Sequence, residues 1–228
     1  MSDKVKPELF LYPANLKEAT RLQKIMADKI IIKPLRKEPR LVVAADATFT
    51  PDLVLAAVCL FSYPELELVE TATAEVPLRF PYRTGFLSFC EGPAVFQAIN
   101  SLSRKPDLLL LDGQGIAHPR RLGLASFVGL LFGLPAIGCA KSHLVGDFLP
   151  PAPEAGSCSE LFYHGQLVGY VLRSRARVRP IFISPGHLID PDSSLRIILG
   201  CLKGYRIPEP LRLAHQLTTE LRARKKLF

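Results

Sequence analysis

LLLLDGQGIAHPRRLGLAS, residues 108–126, begins as one kind of structure and ends as another. Four consecutive leucines suit a strand buried on both faces, because a half-exposed strand would alternate apolar and polar residues. Asp112 ends the run, Gly113 and Gly115 flank a glutamine, and His118, Pro119, Arg120 and Arg121 follow. A helix is expected from about Arg121 to Phe132. A carboxylate delivered to the tip of a buried strand is costly unless a cation or a metal meets it. The stretch therefore points to an α/β protein with a chemical site at a strand end.

Outward from this centre, residues 15–33 read as a helix with Asn15 as N-cap. Pro34 and Pro39 bracket a short basic linker. Residues 41–49, 53–63 and 67–78 read as three strands, and the gap at Thr50, Pro51 and Asp52 suits a hairpin. FLSFC is expected as a loop leading into a helix over 91–103, with Pro93 in its first turn. Further strands are expected at 135–141, 161–173 and 180–184, and helices from Asp190 and from Pro208 to Arg224. The order predicts one α/β domain: a mixed sheet in which an antiparallel three-strand meander is extended by parallel strands and flanked by helices.

With 48% hydrophobic and 22% charged residues the chain has an ordinary globular composition. No apolar run reaches the ~18 residues a membrane helix needs. The first residues, MSDKVKPELF, lack a secretory apolar segment, so a cytoplasmic protein is expected. Cys59, Cys90, Cys139, Cys158 and Cys201 have neither metal-site nor redox-motif spacing and are expected as free thiols. The formal charge of +8 favours anionic partners, nucleic acid above all. Arg173, Arg175, Arg177 and Arg179 would share one face of an extended chain, and Arg222, Arg224, Lys225 and Lys226 form a basic tail.

Asp46 interrupts a strand, Asp112 ends one, and Glu91 opens a helix. Each alone reads equally well as a cap, a turn residue or half of a salt bridge. Together, on neighbouring central strands and a helix start, they form a cluster whose oxygens suit Mg²⁺ or Mn²⁺. A basic protein with such a site is a plausible nuclease.

PYRTGFLSFCEGP, LLLLDGQGIAHPRRLGLAS and PAIGCAKSHLVG, in this order and spacing, closely resemble the endonuclease V family. SPGHLID and IPEPLRLAHQL extend the resemblance over roughly residues 15–222. It implies a ribonuclease H-like fold and a Mg²⁺-dependent enzyme, for which Mn²⁺ substitutes. The implied reaction nicks DNA at the second phosphodiester bond 3′ to deoxyinosine, in repair of deaminated adenine; some members prefer inosine in RNA. Asp46, Asp112 and Glu91 match the metal-binding acids, Lys141 a lysine near the scissile phosphate, and His215 a histidine completing the site. Tyr82 matches the wedge that fills the gap left by an extruded base. Gly85, Leu87, Gly113 and Gly115 are implied in the base pocket, and Arg120 and Arg121 in DNA binding.

Two departures stand out. Ala47 and Thr48 follow Asp46 where the family usually has valine and serine, and Cys90 stands where many relatives carry arginine. Without the resemblance, Tyr82 reads as a surface aromatic, Lys141 as a solvated lysine and His215 as a core histidine. His118 reads as a loop organiser, and His143, His164 and His187 as structural. An inosine-specific ribonuclease and a catalytically inactive nucleic-acid-binding protein are the alternatives. A monomer is expected, since one extruded base needs one pocket.

Overall fold

The computed structural model describes residues 10–225. Helix α1 (Leu16–Ala27) precedes strands β1 (Leu41–Phe49), β2 (Leu53–Ser62) and β3 (Leu68–Pro77). Then come α2 (Leu87–Asn100), β4 (Leu108–Leu111), α3 (Leu124–Phe132), β5 (Ala136–Ala140), β6 (Cys158–Tyr163), β7 (Gln166–Leu172), β8 (Ile181–His187), α4 (Pro191–Gly200) and α5 (Glu209–Lys225). The eight strands among the described residues join one sheet in the order β3-β2-β1-β4-β5-β8-β7-β6. β1, β2 and β3 form the expected antiparallel meander, and β4 and β5 extend it in parallel. β8, β7 and β6 then continue it antiparallel.

β4 is fully buried along its length because helices cover both faces of the sheet. Val43 and Ala45 of β1 face the core shared with α1, α2 and α3. Val42 and Ala44 face the core shared with α4 and α5. Asp46 continues this second parity and so points its carboxylate toward α5.

Four local readings are corrected. α1 stops at Ala27 rather than residue 33, because the β-branched run Ile30–Ile32 is drawn out in extended chain beside β8. There Ile31 donates to His187 Nδ1 at 3.3 Å, and Leu188 donates to Ile31 O at 2.7 Å. FLSFC is not a loop: it forms the start of α2, which leaves Glu91 and Pro93 in the helix interior. The single strand read over 161–173 is a hairpin, β6 and β7, turned by His164 (φ 51°) and Gly165 (φ 73°), the two positive φ values of a type I′ turn.

The four alternating arginines share no face. β7 ends at Leu172, and the chain turns through Arg177 (φ 60°). Arg173 instead ties loops together through Pro151 O at 3.0 Å and Ala152 O at 2.6 Å. Of the basic tail, Arg222, Arg224 and Lys225 form the last turn of α5, and Lys226 lies outside the described residues. No helix among the described residues is long and apolar enough to cross a membrane.

Candidate active site

Parallel pairing of β1 with β4 sets Ala45 opposite Leu111, and Asp112 N donates to Ala45 O at 3.1 Å. Asp46 and Asp112 therefore leave adjacent strands at the same level. His215 reaches them from α5. One ligand atom from each of Asp46, Asp112 and His215 lies within 4.8 Å of the others. Glu91 is not in that set. It is buried within α2, close enough to feel both aspartates.

The electrostatics are those of a crowded acidic site. Burial first, then the charges of Asp46 and Asp112, hold the Glu91 carboxyl well above the usual carboxylate range. Burial likewise lifts Asp112, to about 6, with Lys141 opposing and Asp46 adding to the rise. Lys141 follows β5 and pairs through Nζ with Asp112 Oδ2. Burial alone would pull Lys141 down, but the Asp112 charge and hydrogen bond outweigh it and raise it. His215 is exposed, with Nδ1 3.0 Å from Asp46 Oδ2, so it is no core histidine.

The sequence reading missed Thr218. It lies one helical turn beyond His215, is buried, and donates its hydroxyl to Asp46 Oδ2 at 2.5 Å. Asp46 Oδ2 thus accepts from two α5 side chains, which fixes the carboxylate's rotation. A buried hydroxyl three residues after a candidate ligand on one helix was the available signal. Thr218→Val keeps the shape and removes the donor. It is expected to weaken metal affinity and nicking by ~10- to 100-fold, the usual effect of losing a group that orients a ligand. A divalent-ion titration followed by calorimetry checks this.

These groups lie in a cavity of about 600 Å³ that is also lined by Tyr82, Gly85, Leu87 and Gly113. Tyr82 is 60% exposed at its edge and packs on Phe49 at 5.8 Å between ring centroids. Gly115 does not line the cavity. A Cβ there would stand 2.1 Å from Pro185 O, so this glycine lets the loop after β4 lie against the backbone of β8. Gly115 N donates to Ser184 Oγ at 2.7 Å, which seals the same contact.

Arg120 and Arg121 do not line the cavity. Arg120 donates to Gly85 O at 2.7 Å and lies over the Phe86 ring, and Arg121 donates to Gln166 Oε1 at 2.8 Å. Both guanidinium groups are engaged within the protein. The cations lining the cavity are instead Lys141, Arg83 and Arg222, of which Arg83 and Arg222 are exposed. A larger hollow, about 770 Å³, lies under the 33–40 linker. Its acids are committed elsewhere, Asp107 to the Arg40 and Leu41 amides and Glu38 to Arg196, so it offers no comparable chemistry.

His118 organises the loop as expected. Its Nε2–H donates to Gly85 O at 3.0 Å while Nδ1 accepts from Arg120 N at 3.2 Å, an arrangement only the neutral ring allows. Burial depresses His118 to about 4, and burial also takes His187 to about 4. Both bind protons more weakly folded than unfolded. Their stabilisation is present above pH 6.5 and is lost as pH falls toward 4. Denaturant midpoints are expected to drop across that window, and less steeply in His187→Gln.

The family description "Endonuclease V" matches residues 24–216. An endonuclease V from Dehalococcoides mccartyi is 47% identical over 206 residues, 90% of this chain and 92% of that protein. The endonuclease V structure from Streptomyces avermitilis superposes with a TM-score of 0.88 at 35% identity, covering 94% of this chain and 96% of that one. The Ciona intestinalis endonuclease V was solved with a 24mer DNA containing an inosine followed by a ribo-adenosine. It has a TM-score of 0.78 at 27% identity, over 93% of this chain and 99% of that chain.

Proposed function

The chain belongs to the endonuclease V family, and from that membership we propose that it nicks DNA at the second phosphodiester bond 3′ to deoxyinosine, with a divalent cation at Asp46 and Asp112. The observation that carries this reading is the meeting of Asp46, Asp112 and His215, with Lys141 beside them, in one cavity edged by Tyr82. The two carboxylates fit a hard ion such as Mg²⁺ or Mn²⁺, and the adjacent His215 nitrogen is one that Mn²⁺ tolerates better than Mg²⁺. When bound, such an ion lowers the pKa of a coordinated water and offsets charge on the phosphate oxygens.

The chain's own groups supply the rest. Lys141 brings positive charge to the phosphate as its negative charge builds. Glu91, whose carboxyl is held well above the usual carboxylate range by burial and its acidic neighbours, lines the same cavity and would orient water there. His215 and Thr218 hold Asp46 in one rotation. Arg83 and Arg222 line the cavity and meet neighbouring phosphates. Tyr82 slides into the gap left by the extruded base, and Gly85, Leu87 and Gly113 form walls thin enough for backbone to reach that base. The protein acts as a monomer.

Sizing the products of end-labelled duplexes tests the reading. A deoxyinosine strand should yield one cut, immediately 3′ to the nucleotide that follows the lesion, with a 3′-hydroxyl and a 5′-phosphate. A matched deoxyadenosine duplex should stay intact. Faster cutting of a matched inosine RNA would move the substrate assignment from DNA to RNA.

A further inference from the structure

The carbonyl oxygen of Gly85 accepts from three side chains that come from distant parts of the chain. Gln23 Nε2 of α1 lies 2.9 Å away, His118 Nε2 3.0 Å and Arg120 Nη2 2.7 Å. Gln23 and Arg120 are also joined to each other, Arg120 Nε donating to Gln23 Oε1. The Arg120 guanidinium lies 4.4 Å from the centroid of Phe86, the next residue along. A carbonyl has two lone pairs, so three donors saturate it, and one of them is a charged fork of low mobility.

The peptide that follows Gly85 is held at its other end too. Phe86 N donates to Arg83 O at 2.9 Å, closing a turn with Gly85 at φ +80° in its third position, the type II geometry that calls for glycine. This turn carries Tyr82, Arg83 and Gly85 to the cavity, whereas neither Gln23 nor Arg120 lines it. Gln23 occupies a fully buried position between Leu22 and Met26, on the apolar face of α1. An amide placed there is expensive unless its hydrogen bonds are needed.

We propose that Gln23 and Arg120 act as one positioning pair that fixes the Gly85 turn and thereby sets the enzyme's selectivity for its base, without touching nucleic acid. The proposal rests on the inosine reading above. The pair draws the Gly85 carbonyl out of competition with a bound base and sets how far the turn stands from Gly113 across the cavity. A purine with a carbonyl where adenine has an amine differs in one donor–acceptor position. A pocket built from backbone separates the two only if that backbone is held to a few tenths of an ångström. Loosening the turn should therefore equalise the two bases rather than abolish binding.

The test uses the full chain with Gln23→Glu and Gln23→Met. Gln23→Glu keeps an acceptor for Arg120 and so preserves a folded, paired interior, but it turns an acceptor toward the Gly85 carbonyl. Gln23→Met removes both functions. Two readouts are taken without metal, so that cleavage plays no part: amide hydrogen exchange at Phe86, and the ratio of Kd values for matched deoxyadenosine and deoxyinosine duplexes. Both variants should exchange the Phe86 amide at least tenfold faster. Both should lose at least tenfold of the Kd ratio while their affinity for the deoxyadenosine duplex stays within twofold of wild type. An unchanged ratio or unchanged exchange in Gln23→Glu overturns the proposal. A wild type with no preference for inosine, combined with faster exchange in the variants, refutes the base assignment and the selectivity role together, while leaving the fixing of the turn established.

Discussion

Asp112→Asn is expected to reduce nicking by roughly three orders of magnitude or more while leaving the metal-free protein at least as stable as wild type. The loss follows from chemistry: a bound divalent ion supplies several kcal/mol of transition-state stabilisation, and each ~1.4 kcal/mol is a factor of ten in rate. The stability follows from crowding. Asp112 is lifted to about 6 by burial and by Asp46. The folded chain therefore holds that proton more tightly than the unfolded chain does. The stabilisation is complete below pH 3.8 and is lost as pH rises through about 6, so at neutral pH the ionised carboxylate is a burden on the fold. Asparagine keeps the shape and removes the charge. A divalent ion should raise the wild-type Tm at pH 7.5, because it binds the folded state only, and should leave the variant's Tm unmoved. Melting curves with and without ion, alongside single-turnover rates, measure both halves. A site that costs stability in order to hold a ligand is where stability and activity are expected to oppose each other.

Lys141→Met carries the second large effect, a fall of about 10²- to 10³-fold in kcat with little change in KM, the size seen when a donor to developing charge is removed. The lysine is half-buried and already aimed at the acids, since Nζ meets Asp112 Oδ2. Arg206 donates to Lys141 O at 2.8 Å, which fixes the backbone that carries it. A phosphate oxygen would compete for the same ammonium, so the interaction strengthens as negative charge builds. Lys141→Arg should recover part of the rate. A fall confined to KM would mean that the lysine serves only in binding.

Much of this was legible in the sequence because the central strands obey simple rules. The unbroken leucines of β4 could belong only to a strand covered on both faces, and Asp112 marked its end. β1 was read to its residue boundaries from LVVAADATF, with Asp46 as its one charged residue. What failed was decided by tertiary contact. The end of α1 depends on β8 accepting Ile31 alongside it. The spacing of Arg120 and Arg121 does not show that they bond to Gly85 O and Gln166 in the fold.

The same limit applies to the site. Asp46 and Asp112 were paired correctly by topology, yet Glu91 lies outside the ligand group and His215 within it. That is a question of side-chain reach from α2 and α5 rather than of order along the chain. Thr218 and Gln23 were invisible because each looks ordinary until its partner, Asp46 or Gly85, is placed beside it.

The most direct test of the central claim is single-turnover nicking of a duplex carrying one deoxyinosine, with chelator-stripped protein and with Mg²⁺ restored. The account predicts no cutting without the ion, one cut on the deoxyinosine strand with it, and none by Asp46→Asn or Asp112→Asn under either condition. Equal cutting by the stripped protein, or by either aspartate variant, would contradict it.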